Sequence, residues 1–145
     1  MTDPRIEKSL YLDASPSRVW AFLTEPDCLA RWFHPSDRAL TSPGPYNFWK
    51  TTSEAGRPYC WGEVLEAEPE TRLVYTFTHE WLSGHPTRVA WTLEAAGEGT
   101  RLSLVHDGFG GGPVDGLDAL FDHDAGWDAH FTTLREGLKL AEPVV

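Results

Sequence analysis

The hydrophobic period of this chain changes for good near its glycine-rich segment, and that change limits the fold more than any motif does. As far as His106, apolar residues recur mainly at every second position, in short runs bounded by turn residues. Ile6, Leu10 and Leu12 mark the first run, and Leu73, Tyr75, Phe77 and His79 share one side of a later one. Val89, Trp91 and Leu93, then Leu102, Leu104 and His106, line the last two. Such alternation is the signature of strands with one covered face. After Gly108-Phe109-Gly110-Gly111-Gly112-Pro113 the period becomes helical, from about Val114 to Leu140. At 100° per residue, Leu117, Leu120, Phe121, Trp127, Phe131, Leu134 and Leu138 fall within an arc of about 140°.

Between the first two strands the signals are helical. Ser15-Pro16 supplies an N-cap followed by proline at the first helical position, where its missing N–H costs nothing. Val19, Trp20, Phe22 and Leu23 form the apolar stripe, and Trp20 is assigned to plain packing. Pro26 starts a second short helix over Asp27-Cys28-Leu29-Ala30-Arg31-Trp32-Phe33. Turn-rich residues from Pro35 to Pro45 lead into strands over Tyr46–Thr52 and Tyr59–Ala67, with turns at Gly56-Arg57-Pro58 and Glu68-Pro69-Glu70-Thr71. Gly97-Glu98-Gly99 makes a hairpin. Strands joined by such short turns pair as an antiparallel meander. The expected fold is α+β: a six-stranded antiparallel sheet curved around a long C-terminal helix, with two short helices after the first strand. One domain over residues 1–145 is expected, with its core at about 6–140. A curved sheet and a helix seldom fit along their whole length, so a cavity between them is expected.

Composition removes several function classes. The 145 residues hold 12 basic and 22 acidic side chains, a net charge of −10. That balance opposes general binding to nucleic acid or anionic membrane, because phosphate contacts rest on Lys and Arg. No apolar run approaches the roughly 20 residues of a membrane span, and no signal peptide opens the chain, so a cytoplasmic protein without membrane insertion is expected. Cys28 and Cys60 fit no zinc or redox spacing and read as reduced thiols. The histidines are scattered, and His123 and His130 stand two helical turns apart, so no metal is expected. The glycine-rich segment lacks the Lys-Ser or Lys-Thr of a phosphate loop. No cofactor is implied, and no nucleophilic triad or elbow signature appears.

The aromatic content remains to be placed: seven Trp, seven Phe and four Tyr beside one Met. Strand parity and helix phase nominate Trp32, Phe33, Trp49, Trp61, Tyr75, Phe77, Trp91, Phe109, Trp127 and Phe131 for the space between sheet and helix. The register of Trp49 and Trp61 is open at this level. A set of this kind either fills a core or lines a pocket. Trp favours the pocket where polar groups stand beside it, since its buried N–H needs a partner. The inward polar candidates are His106 and Asp124, with His79 and Asp128 behind them, and a histidine beside a buried carboxylate suits ligand orientation or acid–base work. Glu63 reads as a solvated strand residue. Trp81-Leu82 and Phe109, on loops, are the expected patch for self-association, such as a homodimer.

The ordered series Val19-Trp20, Arg31-Trp32-Phe33, Gly62-Glu63-Val64, Arg72-Leu73-Val74-Tyr75-Thr76-Phe77, Gly99-Thr100-Arg101-Leu102 and Gly126-Trp127 resembles the heat-shock ATPase activator homologue family. That family lies within the START-like (Bet v 1-like, SRPBCC, polyketide cyclase-like) superfamily. The resemblance runs from about Ile6 to Leu138 and implies a helix-grip fold whose cavity takes an apolar or amphipathic small molecule. Binding of such a molecule is the first functional expectation. A cyclase- or aromatase-like enzyme, with His106 or Asp124 moving protons, is the alternative, although the sequence carries no catalytic signature. A co-chaperone role stands behind both, because the family's eukaryotic activators combine this domain with an additional N-terminal one.

Overall fold

In the computed structural model, which describes residues 5–49, 58–110 and 116–140, six strands form one curved antiparallel sheet gripping a long helix. The strands are β1 (Ile6–Leu12), β2 (Gly44–Phe48), β3 (Cys60–Glu68), β4 (Arg72–His79), β5 (Thr87–Ala96) and β6 (Gly99–Asp107). The helices are α1 (Pro16–Thr24), α2 (Pro26–Trp32) and α3 (Gly116–Leu140). Strand order is β1-β6-β5-β4-β3-β2, so the chain's first strand closes onto its last and the rest meander. The expected strand over Tyr46–Thr52 begins earlier, at Gly44, and its continuation beyond Trp49 lies outside the described residues. So do Gly56-Arg57 and Gly111 to Pro113.

The helix starts obey local chemistry. Ser15 Oγ accepts the Arg18 N–H at 3.3 Å and Pro16 opens α1. Pro26 opens α2 directly after α1 ends, and Trp32 Nε1 donates back to the Phe22 carbonyl at 2.7 Å, locking the two short helices together. On the sheet, parity holds for Leu73, Tyr75 and Phe77, for Val89, Trp91 and Leu93, and for Leu102, Leu104 and His106, all of which are buried.

Gly62 is required where it stands. A Cβ there would lie 2.0 Å from the Thr76 carbonyl oxygen of β4. Tyr46 sits directly opposite Gly62 on β2, and its hydroxyl donates to that same Thr76 oxygen at 2.6 Å. A glycine in mid-strand marks such a close approach. The register then shifts between Val64 and Glu66.

The long helix departs from expectation in rotation. Its buried residues are Ala119, Trp127, Phe131, Leu134 and Leu138, with Leu120, His123 and His130 half-buried beside them, whereas Leu117 is 53% and Phe121 65% exposed. On a helical wheel the buried stripe is turned by about 70° from the arc of apolar residues. Two imidazoles, His123 and His130, complete the stripe in place of Leu117 and Phe121. Asp124 and Asp128 therefore fall at its edge and reach β1, where Lys8 Nζ lies 2.9 Å from Asp124 and 2.8 Å from Asp128. Lys8 pairs with Leu104 and so shares the inward face with Ile6 and Leu10, although its ammonium is drawn to the rim. Burial pulls its pKa down, but the hydrogen bonds and charges of the two carboxylates outweigh this and the net shift is upward.

Leu82 and Phe109, expected on an exposed patch, are both buried, because the loops carrying them fold against the core. Cys28 and Cys60 are free thiols. None of the described helices is long and apolar enough to cross a membrane.

Candidate functional site

Three tryptophans from three separate elements meet beneath α3. The Trp91 ring on β5 stands edge-on to Trp127 of α3 at 5.3 Å and to Trp32 of α2 at 6.2 Å. Phe33 stacks on Trp127 at 5.5 Å, with 7° between the ring planes, and Phe131 lies 6.0 Å from Trp127. Each buried indole N–H has an acceptor: Trp32 the Phe22 carbonyl, Trp91 the Tyr75 hydroxyl at 3.0 Å, Trp127 the His106 Nδ1 at 3.0 Å. Packing and polar satisfaction thus use the same rings, which suits Trp in an enclosed space.

The hydrogen bonds of His106 define its tautomer. Indole nitrogen only donates, so His106 Nδ1 must carry a lone pair. Nε2 therefore bears the proton and donates to Thr87 Oγ1 at 2.7 Å; Thr87 in turn donates to the Phe77 carbonyl. The chain Trp127→His106→Thr87→Phe77 uses both ring nitrogens of a fully buried imidazole. Burial, and then the neighbouring His123 and His79, hold His106 well below the usual histidine range, so it stays neutral. This arrangement leaves His106 no ring nitrogen for a ligand or a travelling proton.

A second set of imidazoles lies half-buried at the end of the grip. His79, at the end of β4, and His123, on the first half of α3, bring their Nε2 atoms within 3.0 Å. His123 Nδ1 lies 2.7 Å from the Ala119 carbonyl, which can only accept. His123 therefore carries a proton at Nδ1, and a single proton serves the Nε2···Nε2 contact between the two rings. Burial, with His123 adding to it and Asp122 opposing, brings His79 down to about 4. His130 donates from Nδ1 to the Trp32 carbonyl at 3.3 Å, and burial lowers its pKa against that bond. His34 continues the line, 5.6 Å from His130 and 5.1 Å from the half-exposed Tyr59. At neutral pH this cluster is polar and aromatic, and His79 and His130 within it are uncharged.

Of the residues nominated from the sequence, Trp32, Phe33, Tyr75, Phe77, Trp91, His106, Phe109, Trp127 and Phe131 lie together on these surfaces. Trp61 does not. It pairs with Asn47 and Thr78 while its neighbour Cys60 pairs with the buried Phe48, so parity turns Trp61 to the opposite face of the sheet. Trp49 is half-buried just after β2, its backbone N–H donating to the Pro35 carbonyl. Asp124 is held by Lys8 at the helix edge, away from His106, which instead binds Trp127 and Thr87. Sequence reasoning missed His123, His130, His34, Thr87 and Lys8. The signal for His123 was its spacing: it stands one turn before Trp127 and one after Ala119, on the stripe's own period. Among the described residues no group of three or more His, Cys, Asp or Glu side chains is placed to hold a metal ion. A separate open groove of about 440 Å³ lies outside, between α2 and α3, lined by Arg31, Thr133, Glu136 and Gly137.

Comparison with known proteins agrees with this architecture. Residues 13–139 match the family described as "Activator of Hsp90 ATPase homolog 1-like protein". The chain belongs to that family. No curated protein sequence matches it. Among solved structures, protein MLL2253 from Mesorhizobium loti superposes with a TM-score of 0.80 at 22% identity, over 97% of this chain and 100% of that one. DynU16, a protein of the dynemicin biosynthetic locus, gives 0.77 at 22% identity; the match covers 98% of this chain but only 49% of DynU16. PFC0360w, an HSP90 activator from Plasmodium falciparum, gives 0.73 at 16% identity, over 93% and 96% of the two chains. Identities this low show the shared helix-grip fold of an activator-homologue domain and leave function to the residues.

Proposed function

We propose that this activator-homologue domain binds an apolar or amphipathic small molecule at the open end of the grip. The observation that supports the reading is a two-part surface: mutually contacting Trp and Phe rings, bordered by half-buried imidazoles. Binding sites for small molecules combine a mainly apolar wall with a few placed polar groups. The net charge of −10 and the lowered pKa of His79 and His130 disfavour an anionic headgroup and favour a neutral one. Native mass spectrometry and tryptophan quenching with a panel of apolar ligands test this. Saturable quenching at one-to-one stoichiometry is expected, and a panel with no binder overturns the reading.

The cyclase-like alternative is favoured by one contact, the 3.0 Å Nε2···Nε2 pair of His79 and His123. In that reading these two histidines move protons, in place of His106 and Asp124, whose polar atoms are committed elsewhere. Turnover of a poly-β-keto substrate, lost in His79→Gln with ligand quenching retained, supports it. Turnover unchanged by that substitution removes it.

A further inference from the structure

Among the buried ring donors at the centre of the sheet, the Tyr75 hydroxyl stands apart. Trp32, Trp91, Trp127, Tyr46 and His106 each donate to a protein acceptor. Tyr75 Oη receives the Trp91 N–H at 3.0 Å, and the direction of that bond is fixed because indole nitrogen cannot accept. The oxygen is thereby used as an acceptor, and its own proton reaches no acceptor among the described residues. A buried donor left in that state costs more than a made hydrogen bond returns, so it calls for a partner oxygen. Accepting from Trp91 also polarises the O–H and makes it a better donor. Burial, only partly offset by the Trp91 bond, holds the phenol well above its usual range, so it keeps its proton.

The surroundings restrict the partner. Tyr75 lies on the inward face of β4 with Leu73 and Phe77, and the Tyr46 ring stands edge-on to it at 5.5 Å. Trp91, its donor, touches Trp127 and Trp32, so the hydroxyl belongs to the aromatic wall. The inward-facing cation of β1, Lys8, is already bound to Asp124 and Asp128. Among the described residues an anionic acceptor would meet no further inward-facing cation on β1; a neutral carbonyl needs none.

Resting on the small-molecule reading above, we propose that Tyr75, backed by Trp91, is the hydrogen-bond donor to a neutral carbonyl oxygen of an aromatic ketone or quinone. The donor–acceptor pair selects ketones over hydrocarbons of the same shape, while the tryptophans and phenylalanines hold the rings of either.

Benzophenone and diphenylmethane differ at the carbonyl and share their two rings, so they separate the two claims. Titrations of the wild-type protein are expected to show benzophenone binding roughly five- to tenfold tighter. The infrared carbonyl stretch of bound benzophenone is expected below its value in cyclohexane, as a hydrogen-bonded ketone shows. In Tyr75→Phe the preference falls to about one and the stretch returns to the cyclohexane value, while diphenylmethane binding is retained. The infrared reading on wild type needs no variant and so does not depend on Tyr75→Phe folding. Equal affinity for the two probes with an unshifted stretch overturns the Tyr75 assignment and leaves the small-molecule reading standing; it is also the result expected if ordered water takes the proton. A shifted stretch and a preference that survive Tyr75→Phe also overturn the assignment and place the donor elsewhere. Failure of both probes to bind overturns the small-molecule reading and this inference with it.

Discussion

Thr87 is a small residue on which a long chain of bonds depends. Its hydroxyl accepts from His106 and donates to the Phe77 carbonyl, and its side chain is buried. Replacement by valine keeps the volume but strands a buried imidazole N–H and a carbonyl. Thr87→Val is expected to lose about 1–3 kcal/mol of stability, and Thr87→Ser distinctly less. Urea unfolding compares the two, and equal losses would mean that methyl packing, not the hydroxyl, is the main contribution. Gly62 is a second such residue. An alanine Cβ 2.0 Å from the Thr76 oxygen cannot be housed without moving β3 from β4. Gly62→Ala is expected to lower stability by about 2 kcal/mol or more and to free the Tyr46 hydroxyl from Thr76. A thermal midpoint within a degree or two of wild type would contradict the rigidity of that contact.

The elements show where one-dimensional patterns suffice and where they do not. Alternation in β4, β5 and β6 was enough to place Tyr75, Phe77, Trp91 and Leu104 inward, because strand parity is a property of a single strand. For Trp61 the facing stayed open in the sequence, because the pairing of β3 with its neighbours, which turns Cys60 inward and Trp61 outward, is not written in one strand. In α3 the apolar residues taken alone misplace the buried face, since half-buried imidazoles take places on it that Leu117 and Phe121 do not. That rotation creates the Lys8 clasp. Lys8→Met, which trades an inward ammonium for an apolar chain, is expected to stay within about 1 kcal/mol of wild type. Asp124→Asn with Asp128→Asn is expected to be the less stable protein, because it leaves the Lys8 charge without its partners. Urea midpoints order the two. The reverse order would show that water, rather than the carboxylates, satisfies Lys8.

At the scale of the whole molecule, burial of neutral histidines couples the fold to pH. His106 is packed against Phe77, Phe109, Trp127 and His123, and His79 faces His123 with Asp122 near; His130 meets Trp32, Phe33 and His34. His79, His106 and His130 have depressed pKa values in the folded state, with His79 at about 4. The unfolded chain takes up protons near pH 6.5, whereas the folded chain resists until lower pH. Their contribution is therefore fully present above about pH 6.5 and is lost as pH falls toward 4. The urea midpoint is expected to drop steadily between pH 7 and pH 5, and a flat profile there would contradict buried neutral imidazoles. The direction is opposite to that of histidines stabilised by carboxylates, which would strengthen the fold on acidification.

The amino-acid sequence by itself determined the element order, the antiparallel meander, the cap at Ser15, the proline starts of α1 and α2, and the inward set on β4 to β6. Each of these follows from residues close together in the chain, whose spacing encodes period and turn. Tertiary structure alone decided the rotation of α3, the pairing of Lys8 with Asp124 and Asp128, the tautomer of His106 and the meeting of His79 with His123. Those depend on which polar atoms distant elements present to one another once their faces are pressed together. A buried donor takes its acceptor from whatever the fold brings within about 3 Å, and sequence spacing carries no record of that distance.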